Sequence, residues 1–157
     1  MTIKRSKKVL NILQEIYTAE VGAVAIYIDQ HVKCSNSGHN KFADKLNADA
    51  VEEMKHAERL AERILFLGGP IAYEKHEVPK SGSVEITDIL KLDISLEKTA
   101  VSRLNDGIRA CFEEGDNGSR LLLEEILKDE EAHMGNYEAM LENIAKYGDV
   151  FIVQHLM

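Results

Sequence analysis

Apolar residues recur every three or four positions along four long stretches of the chain, a spacing that predicts four amphipathic α-helices. The stretches predict helices at roughly 4–34, 40–67, 87–114 and 119–147, with Thr87 as the N-cap of the third. Gly148 is a typical C-terminal stop, and Asp149 is suited to cap a short fifth helix that runs through Leu156. We therefore expect an all-α protein.

The connections between these helices differ in length, and the lengths predict how the helices are arranged. Short turns at 35–39 and 115–118 make the first and second helices antiparallel, and likewise the third and fourth. Both prolines, Pro70 and Pro79, lie in one longer segment between the second and third helices. This loop of roughly 18 residues is long enough to run the length of a helix of about 27 residues, about 40 Å. A four-helix bundle with a single long crossover has the ferritin-like topology.

Composition limits the remaining possibilities. The chain has 157 residues, of which 45% are hydrophobic, so we expect a single domain over 1–157. The net charge of −8 argues against a nucleic-acid partner and suits the handling of cations. Cys34 and Cys111 form no Cys-x-x-Cys pair or disulfide framework, which is typical of a reducing compartment. Because no unbroken apolar run typical of a signal peptide or membrane span is evident, we expect a cytoplasmic protein without a membrane partner.

Each predicted apolar stripe contains a glutamate, and two of these glutamates are followed three residues later by a histidine. The residues are Glu20, Glu53, His56, Glu97, Glu130 and His133. Residues three apart share one face of a helix, so each Glu-x-x-His pair can hold a metal ion from two directions. The separation between the first and second glutamates, 33 residues, is repeated between the third and fourth, as if one helical hairpin were used twice. Counted from the turns, the four glutamates lie at similar heights and are expected to meet near the middle of the bundle.

Four carboxylates in one core require a compensating charge, and no lysine or arginine lies in the apolar stripes. Two divalent cations would balance the four negative charges, with His56 and His133 as neutral ligands. The alternative is that the carboxylates share protons, which requires strongly raised pKa values at adjacent sites. A single Glu-x-x-His is most often a solvated surface pair, but two such pairs and two lone glutamates at matching heights favour a dinuclear metal site. Oxygen-rich ligands with one imidazole per metal suit Fe(II) or Mn(II), and Zn(II) would also bind.

The combination of Glu20, Glu53-x-x-His56, Glu97 and Glu130-x-x-His133 resembles the ferroxidase centre of the bacterioferritin family. The runs at 53–57, 62–67 and 125–131 are also similar to that family. The resemblance covers nearly the whole chain, including its length and the short fifth helix. It implies a shell of 24 subunits, built from two-fold dimers, that oxidises Fe(II) with O2 or H2O2 and stores Fe(III) as a hydrated mineral.

The resemblance also implies roles for individual residues. The six candidate ligands would bind two iron ions per subunit, with Glu53 and Glu130 as bridges. Tyr27 resembles the family's tyrosine beside the metal site, although a core aromatic residue with a satisfied hydroxyl is an equally good interpretation. Met54, one from each of two subunits, would supply the axial ligands of a haem b at a two-fold interface.

Met54 is rotated about 100° around the helix from Glu53, so it faces away from the bundle. Judged from the residues alone, it is a surface or interface methionine. If the haem implied by the resemblance is bound, apolar walls for its pocket would come from Val21, Val24, Ile28 and Val51.

Some positions differ from the family's pattern. Ala48 stands where the family often has a histidine of an interior iron site. Asp49 and Glu52 are then either interior ligands or part of a solvated acidic face. Ala25 and Asn47, near the expected haem, also differ from other members, so the haem is less firmly implied than the two irons.

The resulting hypothesis is a ferroxidase and iron-storage protein whose haem admits electrons from a small ferredoxin for iron release. A di-iron peroxidase or oxidase resembling rubrerythrin is disfavoured, because that family usually carries a Cys-x-x-Cys electron-transfer module. A mini-ferritin that protects DNA is disfavoured, because its metal ligands are split across a subunit interface and it lacks the fifth helix. A non-catalytic storage shell is the alternative that is not an enzyme, and a measurement of Fe(II) oxidation would distinguish it from a ferroxidase.

Overall fold

A computed structural model describes residues 6–72, 80 and 82–157 of the protein. Within these residues the chain forms α1 (Lys7–Asn36), α2 (Asn40–Phe66), α3 (Ile86–Glu113), α4 (Asn117–Tyr147) and α5 (Asp149–His155). The described residues contain no strand, and the all-α prediction is confirmed. Lys4, where the first helix was expected to begin, and Pro79 in the crossover lie outside the described residues.

Two helices begin earlier than the sequence predicted. α3 begins directly after Glu85, whose backbone is extended, so Thr87 lies in the first turn and is not the N-cap. The carbonyl of Glu85 already accepts the first helical hydrogen bonds, and this sets the start of the helix. α4 begins directly after Asp116, whose carboxylate accepts a hydrogen bond of 3.0 Å from the backbone N–H of Ser119. Asp116 therefore caps the helix ahead of the expected first residue.

The helices are arranged as two hairpins. α1 packs along α2 across the turn at 37–39, and α3 packs along α4 across the turn at 114–116. α1 also contacts α3, and α2 contacts α4, which closes the four helices into a bundle. The segment from 67 to 85 is the one long connection between the hairpins. The expected bundle with a single crossover between the second and third helices is confirmed.

The short fifth helix packs against the end of the bundle. Gly148 separates α4 from α5 with φ of 60° and ψ of −145°, a conformation that favours glycine. Because Gly148 ends one helix and precedes the next, Asp149 is the first residue of α5 and not its cap. Leu156 is buried, and its carbonyl accepts a hydrogen bond of 3.1 Å from the backbone N–H of Phe42. α5 is thereby attached to the start of α2.

Two apolar clusters fill the bundle, one at each end, and a polar layer separates them. One cluster joins the start of α1 to the end of α2 and contains Val9, Leu13, Ile16, Leu60, Ile64, Leu67, Leu104, Cys111, Leu123 and Ile126. The other joins the end of α1 to the start of α2 and contains Tyr27, Cys34, Phe42, Ala43, Leu46, Ala50, Ile86, Ile89, Leu90, Ile94, Tyr137, Ile144 and Leu156. Close packing on both sides holds the polar layer in place.

The two cysteines belong to opposite apolar clusters. Cys34 and Cys111 are both free and buried, and burial raises the pKa of each thiol to about 11. Thiols with raised pKa values are poor nucleophiles and poor metal ligands at neutral pH. Both residues therefore act as small core residues.

α1 is an exception to the expectation that no segment is apolar enough to span a membrane. An 18-residue window of this helix has a mean hydropathy of 1.3, which meets the length and composition criteria for a span. The same helix buries Glu20 and Gln30 inside the bundle. Its outward side also carries apolar residues, among them Ile28 and Val32. The apolar composition of α1 thus reflects a core-facing side together with an exposed apolar side.

Candidate metal centre

All six residues singled out by the sequence lie in the polar layer, one or two on each helix of the bundle. Every one of them is buried, with at most 5% of its surface exposed. α1 supplies Glu20, α2 supplies Glu53 and His56, α3 supplies Glu97, and α4 supplies Glu130 and His133. The three- and four-residue spacing of each stripe turns these side chains inward at the same level. The structure therefore brings together the complete set that the sequence predicted.

The imidazole of His56 faces three carboxylates through its Nδ1 atom. This nitrogen lies 3.0 Å from Oε1 of Glu130, 3.2 Å from Oε2 of Glu53 and 3.6 Å from Oε2 of Glu20. One ligand atom from each of these four residues lies within 4.8 Å of the others. The four side chains form one potential metal site.

The imidazole of His133 is arranged in the same way. Its Nδ1 lies 3.2 Å from Oε1 of Glu53, 3.5 Å from Oε2 of Glu130 and 3.7 Å from Oε1 of Glu97. These four residues also offer ligand atoms within 4.8 Å of one another. Glu53 and Glu130 therefore belong to both sets, and each directs one carboxylate oxygen to each histidine.

Hydrogen bonds within the protein leave part of this layer unsatisfied. Oε1 of Glu53, Oε1 of Glu130 and Nδ1 of His133 are buried atoms without a hydrogen-bond partner among the described residues. Buried polar atoms without partners are rare in folded proteins, and a bound ion can satisfy them. Carboxylate oxygens with one imidazole per site are suitable donors for Fe(II) and Mn(II). The donor set thus fits a pair of divalent cations shared through two glutamates.

Without bound cations, protons set the charge of the layer. Burial lowers the pKa of the His56 imidazole, but the neighbouring carboxylates of Glu130, Glu20 and Glu53 outweigh burial and raise it to about 12. The pKa of His133 is raised for the same reason. Burial raises the pKa values of Glu53 and Glu130, but the two histidines beside them outweigh burial and lower both. In the metal-free layer these shifts favour the ionised form of the two shared glutamates and the protonated form of both histidines.

The two glutamates that face a single histidine behave differently. Burial is the largest influence on Glu20 and raises its pKa well above the usual value, and the negative charge of Glu53 adds to the effect. Burial likewise raises the pKa of Glu97 to about 8. With a pKa of about 8, Glu97 is mainly protonated at neutral pH in the metal-free layer, and the raised pKa of Glu20 favours its protonated form. Shared protons, the alternative considered for the sequence, are therefore how the layer stays neutral before cations arrive.

The far side of each imidazole contacts a further carboxylate. Nε2 of His56 lies 3.2 Å from Oδ2 of Asp129, and Nε2 of His133 lies 2.9 Å from Oε2 of Glu52. A carboxylate that accepts the Nε2–H leaves the Nδ1 lone pair free for a metal and orients the ring. Sequence reasoning missed this role of Asp129, and it considered Glu52 either as an interior ligand or as part of a solvated acidic face. The missed signal is that both residues directly precede a ligand glutamate.

Two buried tyrosines connect the metal layer to neighbouring polar side chains. The hydroxyl of Tyr27 donates a hydrogen bond to Oε1 of Glu97, which matches the position expected for a tyrosine beside the site. The hydroxyl of Tyr137 donates to Oδ2 of Asp49. Nζ of Lys45 lies 2.6 Å from both oxygens of Asp49, so this carboxylate is compensated by a lysine from outside the apolar stripe. The buried Asp49 is thus held within the protein by two hydrogen-bond donors.

A second buried carboxyl lies in α3, one turn before Glu97. Nε2 of Gln30 donates a hydrogen bond of 2.7 Å to Oδ1 of Asp93. Oδ2 of Asp93 and Oε1 of Gln30 have no hydrogen-bond partner among the described residues. Burial raises the pKa of Asp93 to about 7 in spite of the hydrogen bond from Gln30.

Met54 faces away from the metal layer, as its position beside Glu53 required. Its surface is 51% exposed in the single chain. Ile28 and Val51, two of the residues expected to wall a haem pocket, are also exposed, whereas Val21 and Val24 are half-buried. The outward face of α1 and α2 therefore presents a thioether among apolar side chains.

A four-helix bundle that buries four glutamates and two histidines in one layer is typical of the ferritin-like class. Residues 10–147 match the family model described as Ferritin-like domain. The chain is 34% identical over 145 residues to bacterioferritin BfrA of Mycobacterium tuberculosis, an alignment that covers 90% of this chain and 88% of the relative. It is 33% identical over 142 residues to a bacterioferritin of Streptomyces coelicolor, covering 90% of this chain and 84% of the relative.

A bacterioferritin of Desulfovibrio desulfuricans is 29% identical over 151 residues, covering 96% of this chain and 83% of the relative. The chain belongs to the bacterioferritin family, within the proteins that carry a ferritin-like domain. Membership of this family supports a role in iron storage, as the resemblance implied.

Proposed function

We propose that the protein oxidises Fe(II) at a di-iron centre within each subunit and stores the Fe(III) as a hydrated mineral. The observation that carries this proposal is that Glu53 and Glu130 each direct one oxygen to each of the two histidines. One iron would be held by Glu20 and His56, the other by Glu97 and His133, and the two shared glutamates would bridge them. The irons are substrates, and the protein supplies their positions and the surrounding charge.

The donor set favours the oxidised product. Anionic oxygen ligands bind a trivalent cation more strongly than a divalent one, because the electrostatic attraction grows with the charge of the ion. The four carboxylates therefore stabilise Fe(III) relative to Fe(II). Two Fe(II) ions together release two electrons, which with two protons convert O2 to H2O2, or H2O2 to water. Two metal positions held by shared carboxylates suit this two-electron reaction.

Storage requires a shell, and the surface of the single chain supports assembly. Ile28, Val32, Val51 and Met54 are exposed apolar residues on the outward face of α1 and α2. Contiguous exposed apolar residues mark protein interaction sites. We assign this face to a two-fold subunit interface and the complete particle to a cytoplasmic shell of 24 copies, each copy being one domain over 1–157.

The same face is where a haem b would be held. Met54 would be an axial ligand, and the second would come from Met54 of the partner subunit across the two-fold axis. A haem at this interface would accept electrons, from a small ferredoxin for example, to reduce stored Fe(III) for release. The exposed thioether and its apolar neighbours fit such a group.

Iron oxidation in ligand variants tests the ferroxidase assignment. Glu97→Ala and Glu130→Ala should each abolish the rapid rise in near-ultraviolet absorbance that follows addition of Fe(II) to the aerobic protein. Glu131→Ala is the matched control, because Glu131 is the neighbouring residue on α4 but is exposed. Titration with Co(II) under the same conditions should give two ions per chain for the unaltered protein and the control, and fewer for the two ligand variants.

The two measurements separate the possible outcomes. An unaltered rapid phase in both ligand variants would exclude the proposed site. Binding of two Co(II) ions without any rapid Fe(II) oxidation by the unaltered protein would instead support the non-catalytic storage shell.

A further inference from the structure

A cavity of about 290 Å³ lies between α1 and α3 and reaches the metal layer. Its inner wall is formed by the candidate ligands Glu20, Glu53, Glu97 and Glu130. Its outer wall includes Thr99 and Arg103, which also line the open groove along the surface between the same two helices. The cavity therefore connects this side of the bundle to the carboxylates.

Small side chains keep this cavity open. Ala19, Gly22 and Ala23 of α1 line it from one side, and Ala100 of α3 lines it from the other. Larger apolar residues at these positions would close the gap between the helices, as they do in the apolar clusters above and below. The opening is thus produced by four particular positions of the sequence.

Arg103 places a positive charge beside this opening. Its guanidinium forms no ion pair or hydrogen bond with any residue that the structure describes. Two other basic residues of the surface groove have acidic partners: Lys8 lies 2.9 Å from Glu113, and Lys98 lies 3.2 Å from Glu138. Among the described residues, Arg103 is the basic residue that lines both the groove and the cavity, so its unpaired charge lies where the two meet.

The opposite side of the metal layer, between α2 and α4, carries charges of the other sign. Glu52 and Asp129 lie behind the two imidazoles, with side chains 44% and 37% exposed. A divalent cation is attracted to this side and repelled at Arg103. A neutral molecule is indifferent to both.

We propose that the cavity between α1 and α3 delivers the oxidant, O2 or H2O2, and that Arg103 keeps Fe(II) out of it. The cation then reaches the centre from the acidic α2–α4 side, past Glu52 and Asp129. Arg103 is a specificity-determining residue in this scheme, and the inference rests on the proposed ferroxidase function. A guanidinium about 8 Å from a divalent cation in water reduces the local cation concentration about sixfold.

Loading of Co(II) without an oxidant tests the role of Arg103, because visible absorption of bound Co(II) reports metal entry without any redox step. Glu52→Gln with Asp129→Asn should slow loading at low ionic strength. Adding Arg103→Glu to this double variant should restore the rate by about sixfold or more, and the gain should disappear in high salt. Arg109→Glu is the matched control, since Arg109 lines the groove but not the cavity.

Three results would overturn this role. The Co(II) loading rate could be the same in the double variant and the unaltered protein. Arg103→Glu could fail to raise the loading rate, or Arg109→Glu could raise it as much as Arg103→Glu does.

Filling the cavity tests the oxidant route. Ala23→Leu, or Ala100→Leu if the first variant does not assemble, should slow the reaction of anaerobically loaded Fe(II) with O2 and leave Co(II) loading unchanged. Asn105→Leu is the control, because Asn105 is exposed on α3 and lines neither the cavity nor the surface groove. If the cavity variants slow Co(II) loading and Fe(II) oxidation equally, the cavity is the route of the metal. If they slow neither process, the cavity carries neither the metal nor the oxidant. Each of these results contradicts the proposal.

These experiments distinguish failure of this inference from failure of the proposed function. If the unaltered protein binds Co(II) but does not oxidise Fe(II), the proposed function fails and the oxidant route fails with it. If the unaltered protein oxidises Fe(II) rapidly and the cavity variants do not differ from it, only the route is wrong.

Discussion

Loading the metal layer should release protons, and the structure sets the expected number. At pH 7 the metal-free layer holds a proton on each imidazole, because the pKa of His56 is raised to about 12 and that of His133 is also raised. Burial keeps a further proton on Glu97, whose pKa is about 8, and favours the protonated form of Glu20. Ligands must be deprotonated to bind a cation. Two cations should therefore displace two imidazolium and two carboxyl protons, about four in all.

The number of protons should depend on pH in a defined direction. Glu97 loses its proton in the metal-free protein as the pH rises through about 8, so at pH 9 the release should fall to about three. The histidines retain their protons at pH 9, because the folded pKa of His56 is about 12. The stability that the protonated His56 contributes is present in full below its ordinary pKa of 6.5 and is lost as the pH rises toward 12. Metal-free protein should accordingly melt at a lower temperature at pH 9 than at pH 7, and Co(II) should reverse the loss.

A pH indicator in weakly buffered solution measures this release. Two equivalents of Co(II) are added anaerobically to protein treated with a chelator and then desalted. Glu130→Ala is measured in parallel, and it should release fewer protons because it binds Co(II) more weakly. Release of no more than one proton at pH 7, with both sites filled, would show that the imidazoles are already neutral and would refute the charge assignment of the layer.

Other predictions concern residues outside the six ligands. Asp93→Asn should stabilise the protein by about 2 kcal/mol at pH 8, because the buried carboxyl has its pKa raised to about 7 and an asparagine can pair with both polar atoms of Gln30. The gain in melting temperature should shrink toward pH 4 and be absent in Asp44→Asn, an exposed control. Asp93→Asn raising the melting temperature equally at pH 8 and at pH 4 would contradict the interpretation. Met54→Leu should remove the Soret band of protein expressed with adequate haem and leave Co(II) loading intact. Leu60→Ala, in a fully buried position, should cost about 2–5 kcal/mol in chemical denaturation, and a loss below 1 kcal/mol would show that the cluster relaxes around the cavity.

The sequence was most informative where helical periodicity alone decides the outcome. Glu20, Glu53, Glu97 and Glu130 lie in apolar stripes, and a bundle has only one interior for those stripes to face. Their convergence and the outward direction of Met54 both followed from the helical rotation per residue. The same reasoning misplaced the N-cap of α3 and the start of α4, because capping depends on local backbone conformation that single residues do not specify.

Contacts made by side chains flanking the stripes depended on the tertiary structure. Lys45 compensates Asp49 although it lies outside the apolar stripe, because a long side chain can place its charge at a distance from its own Cα. Asp129 meets His56 because of the distance between α2 and α4, and this distance is set by how the two apolar clusters pack.

The helices, their topology and the membership of the metal layer could be predicted from the sequence, because periodicity and charge balance are properties of the chain, and the family followed from the resemblance of its motifs. The folded arrangement was needed to learn which glutamates are shared between the two histidines, which carboxylates support the imidazoles, and that a cavity ends beside Arg103. Those features depend on the rotation and separation of neighbouring helices, which the packing of many side chains sets together.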